Sequence, residues 1–396
     1  MTKQFATSIL CSSFILLGAC GANNTNSKAP QSNSQSSSSV QQATRVEQTF
    51  NQEAVAKFDE PWALTTLPDD RLLITERQGK LKLFDPATRK SLEVAGVPKV
   101  SYGGQGGLGD VIVHPDYARN SWIYLSYAEA GTGGYGAVVI RAKLDNTRAA
   151  QPRLTDIQKI WTQVPKMSGQ GHYAHRLAFD QEGKLWISSG ERQKFDPAQD
   201  MTSNLGKIVR LNDDGTPATG NPFASQGGVA AQIWSLGHRN PLGMAFDAKG
   251  QLWVVEMGPK GGDELNRIVK GANYGYPIVS NGDHYSGKPI PDHDTRPEFQ
   301  APEVSWTPVI SPSSMIIYQH SAFPAWKDKA IIGGLSSESI VVVDLQSQPV
   351  QEVQRIDMQH RIRGVHAAKD GSLWVIQDGA NASLLKLTPK SSTDRL

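Results

Sequence analysis

The hydrophobic and polar positions of the chain repeat one phrase: a short apolar run, a polar turn carrying Asp or Gly, then a second apolar run rich in Leu, Trp, Val and Ile. Three copies agree in spacing: Leu177–Ile187, Met244–Val254 and Val365–Val375. A fourth, Ala63–Thr75, turns at Pro68, Asp69 and Asp70, a fifth, Val111–Leu125, turns at His114, Pro115 and Asp116, and Met315–Ile332 is a looser sixth. Most copies are followed by a further strand-like run, such as Leu81–Phe84 or Ile208–Leu211. Runs this short between turn residues predict antiparallel strands, and no segment has a convincing amphipathic helical period. Six irregular copies of a unit about fifty to seventy residues long predict an all-β, six-bladed β-propeller, in which radial repetition leaves only short sheet edges exposed.

A propeller places its ligand site at one end of the central channel, on the loops that lead into each blade. The residues just upstream of the phrases are therefore the informative ones. They include Gly103–Gly107, Gly169–His172, Gly237–Pro241 and Arg361–Arg363, and after the phrases come Gly190–Arg192 and Glu256–Glu264. Dense glycine lets backbone approach a ligand closely, and two arginines one residue apart present their guanidiniums on one side of a strand, which suits a ligand with several carboxylates. His172 and His175 raise the question of a metal pair. A zinc pair wants helical spacing and a third ligand nearby, whereas this segment runs into a hairpin, so the metal reading is weak.

Composition changes this picture little. The chain has 396 residues, 38% hydrophobic and 8% aromatic, enough to bury a large core. Its formal net charge of +2, with 40 Lys and Arg interspersed among 38 Asp and Glu, argues against a nucleic-acid face. The N-terminus adds a location. Lys3 precedes an apolar stretch, Phe5 to Leu17, too short to span a bilayer but suited to a secretory signal. It ends in Leu17, Gly18, Ala19 and Cys20, which resembles the bacterial lipobox and implies a signal peptide over residues 1–19 and a lipid anchor on Cys20. An ordinary signal peptide that contains a cysteine is the alternative. Residues 20–45 are rich in Asn, Ser and Gln and read as a disordered tether, leaving 46–396 for the propeller. Cys11 and Cys20 are the only cysteines, so cleavage before Cys20 would leave no internal disulfide and a periplasm-facing or secreted domain held by packing alone.

Six separated motifs, in order, resemble those of the soluble pyrroloquinoline quinone (PQQ)-dependent aldose sugar dehydrogenases, grouped with glucose and sorbosone dehydrogenases. They are Gly104–Leu108, His172 with Arg176 and Leu177, Arg239–Pro241, Gly258 and Pro259 with Asp263 and Glu264, Asn273–Pro277, and Arg361–Arg363, within a likeness covering about Pro61 to Leu387. The resemblance implies oxidation of the C1 hydroxyl of an aldose sugar to a lactone, with hydride passing to C5 of PQQ and His172 as the base. Histidine supplies the near-neutral pKa such a base needs. Glu191 falls where the family has an acidic residue behind that base, and Gln105 where it has a glutamine near base and substrate. Arg239 would stabilise charge developing on the quinone oxygen. Asn240, Arg361 and Arg363 would hold PQQ. Calcium would take the backbone carbonyls of Gly258 and Pro259, and a second, structural calcium would map onto Glu264 and the backbone of Tyr274.

There are departures. His175 falls where relatives have glycine, and packing or solvent is favoured for it over substrate contact. Ser336 stands where relatives have a lysine that contacts PQQ, and 306–311 aligns only with a one-residue ambiguity, so no ligand is assigned there. Two other readings stay open from the residues. One is a non-catalytic propeller module whose arginines bind a glycan or polyanion, against which His172, Glu191, Arg239 and Asn240 argue together. The other is a metal-dependent lactone hydrolase, for which the clustered channel carboxylates are missing. The preferred sugar and the electron acceptor are not encoded in any motif.

Overall fold

In the computed structural model, residues 50–146 and 151–390 are described. The leader, Cys20 and the tether lie outside them. β1 (Phe50–Phe58) is followed by β2 (Pro61–Thr66), β3 (Leu72–Glu76), β4 (Lys80–Asp85) and β5 (Lys90–Val94), then by β6 (Leu108–Val113), β7 (Trp122–Gly131), β8 (Gly134–Asp145) and β9 (Arg153–Thr162). The third group is β10 (Ala174–Phe179), β11 (Leu185–Ser189), β12 (Lys207–Leu211) and β13 (Ile233–Leu236), and the fourth β14 (Pro241–Phe246), β15 (Leu252–Glu256), β16 (Asp263–Arg267) and β17 (Val304–Trp306). The fifth is β18 (Pro312–Ile317), β19 (Ala330–Gly334), β20 (Ser339–Asp344) and β21 (Gln351–Asp357), and the last β22 (Ile362–Ala367), β23 (Leu373–Gln377) and β24 (Ala382–Pro389).

Each group is a four-stranded antiparallel sheet, and β1 completes the sixth by pairing with β24, so the first strand closes the ring on the last. The inner strands β2, β6, β10, β14, β18 and β22 each pack on the next, and β22 packs on β2. The fold is the six-bladed propeller that the repeats predict, and every copy of the phrase is the inner hairpin of one blade.

The phrase recurs because one turn chemistry recurs. Asp180 Oδ1 accepts the backbone N–H groups of Glu182 and Lys184, while Oδ2 accepts the indole N–H of Trp186 at 2.8 Å. Asp247 repeats this with Lys249, Gln251 and the Trp253 indole at 3.2 Å. The turn needs a left-handed residue, supplied by Gly183 at φ 73° and Gly250 at φ 80°.

Packing runs between blades rather than within them. Six clusters of buried apolar side chains fill the six junctions between neighbouring sheets. Strands covered on both faces bury consecutive residues, as in β11, where all five are buried. Every inner strand also carries a bulge near its start, against the second strand of its own blade. A bulge re-aims side chains. Here it does so at the end where the candidate residues converge. Hydroxyls of the preceding blade hold several of these entries in place: Thr75 donates to Gly109 O, Ser126 to His175 O and Ser188 to Pro241 O.

Where the inner strands converge, Arg176 joins five blades. From β10 its guanidinium donates to Leu242 O at 2.6 Å, Ser313 O at 2.7 Å and Asp110 Oδ1 at 3.2 Å, and it lies 4.1 Å over the Trp62 ring. Arg176 belongs to the motif that carries the family resemblance, and its partners give it an architectural role.

Candidate active site

The antiparallel pairing of Ala174 with Ser189 places the segment before β10 beside the segment after β11, and so His172 beside Glu191. His172 Nδ1 lies 2.5 Å from Glu191 Oε1. The second carboxylate oxygen accepts the backbone N–H groups of Lys194 at 2.5 Å and Phe195 at 2.7 Å, so Glu191, fully buried, cannot rotate. On the other side, Gln105 Oε1 accepts the His172 backbone N–H at 2.7 Å. Burial, and then the Arg239 charge, hold the His172 imidazole below its ordinary pKa against the upward pull of Glu191. For Glu191, burial pushes upward, but the His172 hydrogen bond and backbone N–H groups hold it below the ordinary carboxylate value. The pair at neutral pH is a carboxylate and a neutral imidazole with its hydrogen on Nδ1, which leaves Nε2 as the basic nitrogen.

Arg239 and Asn240 stand between β13 and β14. The Arg239 N–H donates to Glu256 Oε2 at 2.7 Å, and Nη1 donates to Met257 O at 3.0 Å and Gly258 O at 2.6 Å. Its carbonyl accepts the Glu191 N–H at 2.9 Å, which ties this corner to the His172 pair. Arg239 Nε and both amide atoms of Asn240 are buried without partners. A β-carbon on Gly258 would come 2.1 Å from Gly262 O, so this loop admits only glycine there. Asp263 holds the loop by accepting the Gly258 and Ser311 N–H groups, and burial pushes its carboxyl up to about 6.

His172, Glu191, Arg239 and Pro259 line a cavity of about 240 Å3 whose other walls are Gln193, Phe195, Tyr276, His284, Tyr285 and Ser286. The aromatic wall comes from irregular loops and had no signal in the hydrophobic period. A second cavity, of about 300 Å3, holds Gln105, Arg361 and Arg363 together with Glu60, Arg77, His175 and Asp378. The two arginines converge, as their spacing predicts, but on a protein carboxylate: Arg361 Nε donates to Asp378 Oδ2 at 2.9 Å and Arg363 Nε to Oδ1 at 2.8 Å. Asp378 offsets one of the two charges, a partner that lies fifteen residues beyond the motif and carries no motif of its own. Arg77 and Glu60 add a further cation and anion to this cavity. Ser336 is exposed and bonds Ser311 Oγ at 2.7 Å, while its neighbour Leu335 lines the cavity.

Gly258, Pro259, Glu264 and Tyr274, read as belonging to two calcium sites, border one small cavity of about 10 Å3, together with Glu256. Burial pushes the Glu264 carboxyl up, and Glu256 beside it adds to the shift. Its Oε1 lies 3.5 Å from His293 Nε2. The Tyr274 hydroxyl is engaged by Arg267 O and the Val269 N–H, so a contribution from Tyr274 would come from its backbone. Among the described residues no three His, Cys, Asp or Glu side chains are grouped to hold a metal ion. His172 Nδ1 is on Glu191, and His175 is buried with neither ring nitrogen partnered.

The family described as Glucose / Sorbosone dehydrogenase matches residues 58–386. The chain is 40% identical over 344 residues to aldose sugar dehydrogenase YliI of Escherichia coli, covering 85% of this chain and 91% of that protein. Its structure resembles the apo-form crystal structure of the soluble aldose sugar dehydrogenase from Escherichia coli, with a TM-score of 0.81 and 39% identity over 86% of this chain and all of that one. It also resembles the PQQ-bound aldose sugar dehydrogenase from Streptomyces coelicolor, with a TM-score of 0.72 and 28% identity over 86% of this chain and 98% of that one. With the propeller, the match over nearly all described residues and these relatives, the chain belongs to the glucose/sorbosone dehydrogenase family of oxidoreductases.

Proposed function

We propose that the protein is a PQQ- and calcium-dependent dehydrogenase that oxidises the C1 hydroxyl of aldose sugars to lactones, with His172 as the base. The observation that carries the proposal is the His172–Glu191 pair, buried at the wall of a cavity that also takes in Arg239. A binding module would need no oriented proton acceptor there.

The residues fit the cofactor. Buried polar atoms without partners are disfavoured, and Arg239 Nε with both Asn240 amide atoms are donors and an acceptor awaiting a polar ligand. Arg361 and Arg363 bring a net positive charge to a cavity large enough for part of a planar, carboxylated quinone. Gly258 O keeps one lone pair beyond the Arg239 bond, which suits a hard cation with oxygen ligands. When bound, PQQ supplies the two-electron acceptor and calcium polarises its carbonyls.

The chain's own residues do the rest. Glu191 holds the hydrogen on His172 Nδ1, so Nε2 takes the proton of the sugar hydroxyl as hydride leaves C1. Glu191 then stabilises the imidazolium. Arg239, buried and fixed through Met257 O and Gly258 O, presents a preorganised positive charge to the cavity. Gln105 sets the His172 backbone, which is held at a left-handed φ of 46°. Phe195, Tyr276 and Tyr285 offer apolar ring faces to a sugar.

The test adds PQQ and calcium to purified protein and follows dye reduction with several aldoses. Cofactor binding with turnover of at least one aldose is the expected result, and absence of both rejects the reading. The lipid anchor at Cys20 and an envelope-facing location are part of the proposal. Mass spectrometry of the N-terminal peptide tests them, and an unmodified N-terminus other than Cys20 rejects them.

A further inference from the structure

His175 is 3% exposed, and neither ring nitrogen has a partner. It lines the cavity that holds Arg361, Arg363 and Gln105. Three further observations show that the fold accommodates an imidazole there at a cost. Its backbone is left-handed, at φ 75°, which a residue with a side chain adopts reluctantly. Gly109 makes room for it, since a β-carbon there would come 2.7 Å from His175 Cγ. The ring is clamped, stacked on Tyr173 at 5.2 Å and meeting Trp62 edge-on at 5.8 Å.

Packing alone does not call for this residue. Glycine would relieve the backbone, and an apolar ring would fill the space without burying two unsatisfied nitrogens. Burial, with the charges of Arg192, Arg176 and Arg77, pushes the imidazole pKa down to about 3, so at neutral pH the ring has one donor and one acceptor. We infer that His175 is a cofactor-contacting residue that offers a ring N–H to an anionic oxygen of the group that Arg361 and Arg363 hold in this cavity. The inference rests on the proposal that the cavity takes PQQ. It gives the site a neutral donor in a region where the two arginines already share Asp378.

The test is a titration of cofactor-free protein with PQQ in the presence of calcium, read by quenching of tryptophan fluorescence, to which Trp62 in the same cavity contributes. Wild type, His175→Phe and His175→Asn are compared, and the Tm of each is taken without PQQ. His175→Phe keeps a ring and loses both nitrogens, so affinity should fall about tenfold with little change in Tm. His175→Asn keeps an N–H and tolerates the left-handed backbone, so it should recover part of the loss. Should His175→Phe not fold, His175→Ala must show the same tenfold loss. Affinity within twofold of wild type in the apolar variant overturns the inference, as does a fall in affinity that tracks a fall in Tm and is not eased by Asn. Failure of wild type to bind PQQ at all sinks the cofactor reading itself, a result distinct from either.

Discussion

Glu191 and His172 are joined by a 2.5 Å hydrogen bond between Oε1 and Nδ1, and the second oxygen of Glu191 is held by two backbone N–H groups. The carboxylate therefore orients the ring rather than competing for substrate. His172→Ala should lower turnover by about two to four orders of magnitude while PQQ binding persists. Glu191→Gln should act through the histidine. It removes the partner that raises the His172 pKa, so the acid limb of kcat/KM should move to lower pH as turnover falls. A pH profile of each variant checks this, and an unmoved limb in Glu191→Gln would leave Glu191 without an orienting role.

Arg361 and Arg363 share Asp378 but differ in exposure, with side chains 48% and 13% accessible. Arg363→Ala should weaken PQQ binding about ten- to hundredfold, and Arg361→Ala less, because solvent screens an exposed charge. Activity should recover in both at saturating cofactor. Equal losses, or none, in a PQQ titration would count against the assignment.

Glu264 is a buried carboxylate beside Glu256, and both border the small cavity at Gly258. If calcium binds there, it should raise the stability of wild type, by about 2.7 kcal/mol at a hundredfold excess over Kd. Glu264→Gln should lose that response and be more stable than wild type in chelator, since it removes the like-charge repulsion. Thermal unfolding with and without calcium separates the two effects.

His175 is neutral in the folded protein down to about pH 3, whereas the unfolded chain takes up its proton near 6.5. Below 6.5 the unfolded state therefore binds more protons, and this residue's contribution to stability is lost as pH falls, by at most about 1.4 kcal/mol per pH unit. His175→Phe has no such loss. Any stability deficit of the variant should shrink by about 1–2 kcal/mol between pH 6.5 and 5, as measured by urea unfolding at each pH.

Among the described residues Arg176 is the only cation paired with Asp110, and it caps carbonyls of two further blades. Arg176→Ala leaves Asp110 buried and uncompensated, which should cost about 3–5 kcal/mol. Changing Asp110 to Leu in the same chain should restore part of this. A small loss of Tm in the single variant would show that the blades do not depend on this hub.

The repeats, the blade number and the motif residues were legible in the sequence, because they depend on local chemistry. An Asp that bonds two backbone N–H groups and a Trp indole within six positions writes the same phrase wherever the inner hairpin recurs, as at Asp180 and Asp247. Glycine at 258 is likewise forced by the loop that contains it. How distant positions meet depends on the assembled ring. Asp378 accepts both arginines, Phe195 and Tyr285 wall the same cavity as His172, and Arg176 reaches four other blades. None of these is encoded by periodicity, since closing six blades in a ring brings together the ends of strands far apart in the chain. His175 shows the difference most clearly. Its sequence position suggested packing or solvent, and only the fold reveals a buried, clamped ring with two free nitrogens at a charged cavity, because burial and hydrogen-bond satisfaction are properties of the assembled interior.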